Sequence, residues 1–352
     1  MQAHATRPLS HVPLPLPSRS DATHSDSLVA ADFKLSSIDL YITSACNRRC
    51  TYCFLSDAFF ESGQSMSVES VQSICDWAAE GSVEEITLLG GEPALHPDFP
   101  LIVSTIHDAG LRVRTVTNGS RKFRIAMENR TVRSLLGRVA VSLDSPSEAA
   151  FDALRGRGAF RDAMATMRWL AEQKKAFDIN FTVVKSALDS VPEMLSLAEQ
   201  LGAGRLNVHW FSLVGRARTH AAHQAVSAAE WREVLRQVSS YRPRRSDFVI
   251  DCELGFAYGL SGEEPGMCAV RDRSNLQFLP DGSVFSCGML VDRPDLAGYA
   301  WRDNGLFLRQ ADTEVTRTAS PCSGCPMRNV QVNDGDEDGH ATLCIYNRLA
   351  RS

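Results

Sequence analysis

From residue 37 to about residue 217 the chain repeats one pattern, in which a short apolar or β-branched run precedes a longer segment with apolar residues at helical spacing. The longer segments predict helices near residues 67–80, 98–109, 123–136, 147–174 and 190–202. The short runs predict six strands, which are Ser37–Thr43, Glu85–Gly90, Arg112–Thr117, Arg138–Leu143, Asp178–Lys185 and Leu206–Leu213. This alternation predicts an α/β fold with a parallel sheet, which is either open and doubly wound or curved into a barrel.

The two ends of the chain have a different character. Residues 1–34 are rich in Pro, Ser and His without a sustained period, which predicts a disordered leader. One more helix is predicted over residues 227–241, within a bridge of residues 218–246. Beyond residue 247 the helical period fades, and Asp-Gly turns and six cysteines appear. We therefore expect a leader, a core domain at 35–217, the bridge, and a cysteine-rich domain at 247–352.

Composition narrows the class of protein. The chain has 352 residues, of which 44% are hydrophobic and 22% charged, as in an ordinary globular protein. Its net charge of −5 gives no general attraction for nucleic acids or anionic membranes, and no apolar run approaches the roughly 18 residues of a membrane span. We expect a cytoplasmic protein without a nucleic-acid or membrane partner. Because that compartment keeps thiols reduced, the ten cysteines require a role other than disulfide bonding.

Three of the cysteines follow the first predicted strand within eight residues. Cys46, Cys50 and Cys53 form a CxxxCxxC run at the carboxyl end of that strand, the end at which parallel α/β folds place their chemistry. A structural zinc ion takes four protein ligands, so three thiolates suit it less well than they suit a 4Fe-4S cluster with one open iron. The second predicted strand ends in Gly90-Gly91-Glu92-Pro93, which alone predicts either a close approach of the backbone to a ligand or a simple turn.

With both motifs at neighbouring strand ends, the sequence resembles the radical S-adenosylmethionine (SAM) superfamily over residues 37–217. The resemblance implies a partial (β/α)6 TIM-type barrel. It also implies that the CxxxCxxC cysteines bind a 4Fe-4S cluster, whose open iron takes the amino and carboxylate groups of SAM. Reductive cleavage of SAM would then give a 5′-deoxyadenosyl radical, which abstracts hydrogen from an unactivated C–H bond and needs a dry, enclosed site.

The same resemblance assigns residues to SAM itself. It implies that Gly90, Gly91 and Glu92 meet the methionyl amino group. Weaker matches at the ends of the third and fourth strands imply a second set near the SAM carboxylate and ribose, namely Thr117, Asn118, Ser142 and Asp144. Each residue of this second set is equally explained as a turn former or a helix cap.

A second group of cysteines lies in the tail. Cys268 and Cys287 flank a predicted hairpin that turns at Pro280–Gly282, and Cys322 and Cys325 form a CxxC. Four thiolates complete a metal site, and the pattern alone leaves zinc and iron-sulfur open. When the CxxxCxxC motif is also considered, the tail resembles the SPASM domains, and the shorter twitch domains, of the same superfamily. The resemblance implies one auxiliary 4Fe-4S cluster on these four cysteines.

The full SPASM pattern has two further cysteines after the CxxC, in a region where this chain carries Gln331, Asn333 and Asp334. Only Cys344 remains downstream. Cys344 and Cys252 are either extra ligands of an incomplete second site or small buried hydrophobes, and Cys252 is also a candidate hydrogen-atom donor. Cys75, inside an amphipathic helix, is expected in the core.

Alternation along the last two predicted strands places polar side chains on shared faces. Asn180 and Thr182 share a face of the fifth strand, and Asn207, His209 and Phe211 share a face of the sixth. Polar side chains in strands that helices cover from outside are expected to point into the lumen. His209 is therefore a candidate base or substrate-orienting group, with a structural histidine as the alternative.

Two hypotheses about function follow. The first is a radical SAM oxidoreductase or maturase that modifies a natural-product precursor and takes its electron from a flavodoxin- or ferredoxin-type protein. Its substrate is either a ribosomal peptide that is cross-linked or oxidised, or a small molecule that is dehydrogenated or epimerised. The leader of 34 residues is short for a leader-binding domain, but some maturases lack that domain, so the two substrate classes stay about equally supported. The second hypothesis is a zinc-stabilised binding protein without catalysis.

Overall fold

The computed structural model describes residues 27–252, 274–291, 294 and 297–309, together with the backbone of residues 331–332 and 341–342. Its helices are α1 (Asp57–Glu61), α2 (Val68–Ala79), α3 (Phe99–Asp108), α4 (Arg121–Glu128), α5 (Arg130–Leu135), α6 (Glu148–Arg155), α7 (Ala159–Glu172), α8 (Val191–Gln200), α9 (Arg216–His220) and α10 (Ala228–Ser240). Its strands are β1 (Ser37–Thr43), β2 (Glu85–Gly90), β3 (Arg112–Thr117), β4 (Leu136–Ser142), β5 (Phe177–Val183), β6 (Arg205–Trp210), β7 (Val249–Cys252), β8 (Gln277–Phe278), β9 (Ser283–Phe285), β10 (Tyr299–Arg302), β11 (Gly305–Leu308), β12 (Gln331–Val332) and β13 (Ala341–Thr342).

The order of the strands selects the barrel over the doubly wound sheet. Strands β1 to β6 are parallel and lie side by side in chain order. A doubly wound sheet reverses its strand order at a switch point, whereas consecutive right-handed crossovers in one direction place every helix on the same face. Strands β7 and β11 are the two edges of the sheet, so it stays open. The expected partial (β/α)6 barrel is confirmed.

The two faces of the sheet differ in polarity. In β5 and β6 the apolar residues Ile179, Phe181, Leu206 and Val208 are buried on the face that the helices cover. The opposite face carries the polar residues that we expected to share it. Asn180 is in register with Asn207 and Thr182 with His209, and Asn207 Nδ2 donates a hydrogen bond of 2.7 Å to Asn180 Oδ1. This polar face lines the lumen of the barrel.

Two of the predicted helices are each divided in the structure. The segment predicted at 123–136 forms α4 and α5, because the Asn129 side chain accepts hydrogen bonds from two backbone N–H groups and starts a new helix. The segment predicted at 147–174 forms α6 and α7, because Gly156 and Gly158 adopt φ of +97° and +77°. The first three strands have the predicted bounds, and the ends of the next three differ by one to three residues.

The last eight residues of the expected disordered leader, residues 27–34, have a described structure. Leu28 forms a β-bridge with Leu306, and its carbonyl accepts a 2.8 Å hydrogen bond from Trp77 Nε1. Phe33 is buried, with its ring 6.2 Å from that of Trp77 and 5.6 Å from that of Tyr299. Residues 27–34 therefore pack on the barrel. Only a few of their side chains make apolar contacts, so the sequence shows no helical or strand period there. Residues 1–26 lie outside the described residues.

The boundary that we expected at residue 247 is not a break in the sheet. Strand β7 pairs in parallel with β6, and β8 pairs in parallel with β1, so residues on both sides of the boundary share one sheet. The hairpin predicted at Pro280–Gly282 is confirmed as the antiparallel pair of β8 and β9, and β10 and β11 extend it. In the part of the chain that is described, no helix combines the length and apolar character that crossing a bilayer requires.

Candidate functional site

The three cysteines of the CxxxCxxC run lie between β1 and α1, on a segment that we call the cysteine loop (residues 44–56). All three thiols are half-buried. Burial raises the pKa of Cys46 to about 11 and that of Cys53 to about 12, and the neighbouring thiols add to the rise. Burial also raises the pKa of Cys50. Thiols in such surroundings keep their protons unless a metal group replaces them, which is the chemistry of a soft-metal donor set.

Backbone contacts with the end of β2 fix the start of this loop. Gly91 N donates to Thr43 O and Glu92 N donates to Ala45 O, each at 2.8 Å. A Cβ at Gly91 would lie 2.3 Å from Ala45 O, and one at Gly90 would lie 2.4 Å from Thr43 O. The resemblance implied that the two glycines admit a ligand. In the described residues, Gly90 lies against the end of β1 and Gly91 against the cysteine loop.

Glu92 joins the ends of β2 and β3. Its carboxylate is fully buried and accepts two hydrogen bonds of 2.8 Å, from Thr117 Oγ1 and from Asn118 N. Desolvation raises the pKa of Glu92 to about 7. The Asn118 side chain reaches onward to the cysteine loop, with Nδ2 2.9 Å from Asn47 Oδ1 and 3.9 Å from Cys46 Sγ. Three residues that the sequence assigned to SAM are thus brought together, beside one predicted cluster ligand.

Asp144 lies beneath the cysteine loop. One carboxylate oxygen accepts hydrogen bonds from the Tyr52 hydroxyl and from Arg155 Nε, the latter at 2.5 Å, and the other accepts from Thr182 N at 2.9 Å. The Asp144 side chain is 1% exposed, and Ser142 is buried at the end of β4. All the contacts described for Asp144 are internal, so it braces the loop. Its predicted position near SAM stays a prediction.

Arg155, at the end of α6, is a member of the site that the sequence did not single out. Its Nη1 lies 3.9 Å from Cys50 Sγ, and its guanidinium carbon lies 5.3 Å from the centre of the Tyr52 ring. The ion pair with Asp144 holds the pKa of Arg155 well above its ordinary range despite burial. The only sequence signal was an arginine in the last turn of a helix, which is common.

The segment after β6 is a second part of the site that the sequence did not predict. Arg216 Nε donates to Cys50 O at 3.0 Å, and Arg216 also forms an ion pair with Asp57. Ala217 N donates to Cys53 O at 3.3 Å. Gly215 has φ of +56°, and a Cβ there would lie 2.2 Å from Phe54 O. The cysteine loop is therefore held from three sides, by β2, α6 and this segment.

These surroundings fit the metal group that the sequence predicts. Nitrogen donors face two of the sulfurs, with Arg48 N 3.5 Å from Cys46 Sγ in addition to the contacts of Asn118 and Arg155. Iron-sulfur sites use such N–H groups around their sulfurs to set the potential. Three thiols within one loop, two of them facing N–H donors, suit a 4Fe-4S cluster with one iron left for another ligand.

Cys287, the described member of the second cysteine group, lies close to the barrel. Gln277 accepts a 3.0 Å hydrogen bond from the Tyr41 hydroxyl, and its amide packs so tightly on Gly288 that a Cβ there would lie 2.8 Å away. Burial raises the pKa of the Tyr41 hydroxyl. The Tyr41 ring lies 6.3 Å from the ring of Phe54, which belongs to the cysteine loop. Tyr41 and Gln277 therefore lie between the cysteine loop and Cys287.

The other predicted site residues have mixed outcomes. His209 is half-buried on the lumen face, Cys252 is half-buried at the end of β7, and Cys75 is buried in the core as expected. Phe211 follows β6 and packs on Tyr52, with ring centres 6.4 Å apart. The remaining predicted ligands lie outside the described residues, namely Cys268, Cys322, Cys325 and Cys344.

Comparisons with known proteins agree with this geometry. Residues 40–198 match the model of the Radical SAM superfamily. The AdoMet-dependent heme synthase of Methanosarcina barkeri is 30% identical over 346 residues, which cover 87% of this chain and 95% of that protein.

Two solved structures share the fold at 16% identity and a TM-score of 0.60. Native anSMEcpe with bound AdoMet and the Cp18Cys peptide covers 90% of this chain and 95% of its own. Streptococcus suis SuiB bound to its precursor peptide SuiA covers 74% of this chain, which spans 61% of the SuiB chain.

Proposed function

This chain belongs to the radical SAM superfamily, and from that premise we propose that Cys46, Cys50 and Cys53 hold a 4Fe-4S cluster at the mouth of the barrel. The cluster supplies the electron for reductive cleavage of SAM to methionine and a 5′-deoxyadenosyl radical, which abstracts hydrogen from an unactivated C–H bond. The observation that carries the proposal is that three half-buried thiols lie on one loop and two of them face N–H donors. Within the described residues the three side chains are not drawn together into a ligand group, so binding of the cluster would gather them.

The residues around the cysteine loop have separate tasks in this proposal. Gly90 lets the end of β1 lie close to the end of β2, and Gly91 does the same for the start of the cysteine loop, next to Cys46. Glu92, which accepts hydrogen bonds from Thr117 and Asn118, is the residue that would bind the methionyl amino group of SAM. Thr117, Asn118 and Ser142 form the rim near the SAM carboxylate and ribose, while Asp144 acts through Tyr52 and Arg155.

The lumen face of β5 and β6 is the proposed substrate surface. Asn180, Thr182 and Asn207 offer hydrogen bonds without net charge, and His209 beside them would orient the substrate or take its proton. Helices cover the other face of these strands, which keeps water away from that side of the sheet.

We assign to Cys268, Cys287, Cys322 and Cys325 one auxiliary 4Fe-4S cluster of the SPASM or twitch type. Support comes from Cys287, because its neighbour Gly288 packs against Gln277, which accepts the hydrogen bond of Tyr41 on β1. Four thiolates leave no open iron, so electron transfer is the expected role. If the substrate radical gives its electron to this cluster and a proton to a base such as His209, the substrate is oxidised by two electrons in total.

Two observations bear on the substrate. Both solved neighbours bind peptides, and one of them covers 90% of this chain, which makes a peptide precursor the first candidate. The heme synthase relative, at 30% identity, favours a small molecule such as a tetrapyrrole as the second. In either case we expect a flavodoxin- or ferredoxin-type protein to supply the electron.

The test begins with protein that is purified without oxygen. It should be brown and contain about eight irons per chain if both clusters are present. Replacing Cys46, Cys50 and Cys53 by Ala should leave about four irons and abolish reductive cleavage of SAM. Cleavage that survives this change, or a colourless protein that contains zinc alone, would refute the proposal.

Substrate class is decided by incubation with candidate peptides and small molecules in deuterated buffer. Mass spectrometry distinguishes the loss of two hydrogens from the uptake of solvent deuterium and from a cross-link. With a true substrate, the amount of 5′-deoxyadenosine formed should equal the amount of product formed.

A further inference from the structure

Two buried charges lie next to one predicted cluster ligand. The Arg155 side chain is 11% exposed and the Asp144 side chain 1%. Arg155 Nε binds Asp144, whereas Nη1 faces the Cys50 sulfur at 3.9 Å. Tyr52 holds both partners, because its hydroxyl donates to Asp144 and its ring lies against the guanidinium. The cation therefore has one fixed position relative to Cys50.

A fixed cation and an N–H donor at a cluster sulfur favour the reduced, more negative state of the cluster. Solvent screens such a charge little when both groups are buried. Hydrogen bonds to sulfur and local net charge are among the factors that set iron-sulfur potentials. Asp144 opposes the cation, but it is the guanidinium that contacts the Cys50 sulfur, at 3.9 Å.

We propose that Arg155 and Asp144 together set the reduction potential of the cluster on the cysteine loop. Arg155 raises the potential through its charge and its contact with Cys50, and Asp144 limits that rise while it holds the guanidinium in place. Both are positioning residues, since neither is a ligand. This inference rests on the proposed function, because it requires the 4Fe-4S cluster.

Two variants give shifts of opposite sign. Asp144→Asn keeps the shape of the pair but leaves the cation uncompensated, so the midpoint potential should rise. The double variant Arg155→Gln/Asp144→Asn removes both charges and the contact, so the potential should fall below that of the wild type. For the double variant we expect about a tenfold lower ratio of reduced to oxidised cluster when the solution potential is held constant. For one electron this is a shift of about 59 mV. The single change Arg155→Gln is avoided, because it leaves a buried carboxylate without its partner.

Arg49→Gln is the matched control. Arg49 lies in the same loop, but its side chain is exposed and donates to the carbonyl oxygens of Cys46 and Arg48. Water and salt screen that charge, so its removal should shift the potential much less. All four proteins are titrated with reductant without SAM, and the reduced signal that responds to later addition of SAM is followed by electron paramagnetic resonance.

The outcomes separate this inference from the proposed function. A purely structural role for the pair predicts loss of iron or shifts of one sign in both variants, and either result overturns the inference. Midpoints that all stay within the shift of Arg49→Gln overturn it as well. If the wild type shows no signal that responds to SAM, the proposed function fails first, and the inference fails with it.

Discussion

The contact between Gly91 and the cysteine loop allows a sharp test, the substitution Gly91→Ala. The new Cβ would lie 2.3 Å from Ala45 O, 2.6 Å from Ala45 C and 2.8 Å from Cys46 Cβ. Ordinary contacts begin at 3.4 Å, so the backbone at Ala45 would have to recede by about 1 Å. Two of the three atoms belong to the backbone, so a rotamer change cannot relieve the clash.

The displacement affects both stability and metal binding. Overpacking of this kind costs about 1–3 kcal/mol, and weakening of the hydrogen bond from Glu92 N to Ala45 O adds about 0.5–1.5 kcal/mol. Metal ligands tolerate deviations of only about 0.2 Å, several times less than the shift imposed next to Cys46. Gly91→Ala should therefore lose most of the iron bound at the cysteine loop and lower the melting temperature of the metal-free protein.

Gly298→Ala is the matched control, because among the described residues no atom beyond the adjoining ones lies within 4 Å of its new Cβ. Neither glycine has a positive φ, so the two variants differ in available space alone. Iron content, the SAM-responsive resonance signal and thermal denaturation are measured for both. Should Gly91→Ala retain as much iron and stability as Gly298→Ala, the argument that the glycine exists to seat the loop is wrong.

Three further predictions concern the same region. Arg216→Gln removes the donor to the Cys50 carbonyl, so we expect faster loss of iron to a chelator, and a rate equal to that of the wild type would contradict this role. Burial raises the pKa of Glu92 from 4.5 to about 7, so its contribution to stability is fully present below pH 4.5 and is lost as the pH rises through 7. Melting temperatures between pH 5.5 and 8 should fall more steeply for the wild type than for Glu92→Gln, and parallel slopes would count against this. His209→Ala should still cleave SAM but form less product, so the ratio of product to 5′-deoxyadenosine should fall. If that ratio is unchanged, His209 has a structural role.

Local pattern predicted much of the barrel. Strands β1, β2 and β3 have the expected bounds because each is a short β-branched run between clear breaks. Asn129 and the pair Gly156 and Gly158 were visible in the sequence, yet a helical period continued on both sides of each. Single caps and left-handed glycines therefore divided two helices that periodicity had joined.

The contacts of the candidate site likewise include some that local motifs predict and some that they do not. The proximity of the cysteine loop to Glu92 was predictable, because the two motifs follow consecutive strands, which lie side by side in the sheet. Arg155 and Arg216 reach Cys50 from residues 105 and 166 positions away, and no local pattern marks such contacts. The parallel pairing of β8 with β1 was likewise beyond prediction, because short strands carry little information about their partners.

That pairing affects how the protein matures. Strand β1 is an inner strand of the sheet, yet the hydrogen bond from Tyr41 to Gln277 spans 236 residues of sequence. While the ribosome is still making the intervening chain, the outer edge of β1 has no neighbour and is open to wrong association. The surroundings of the cysteine loop thus stay incomplete on that side until late in translation, so we expect any metal loading to follow, not accompany, synthesis of the barrel.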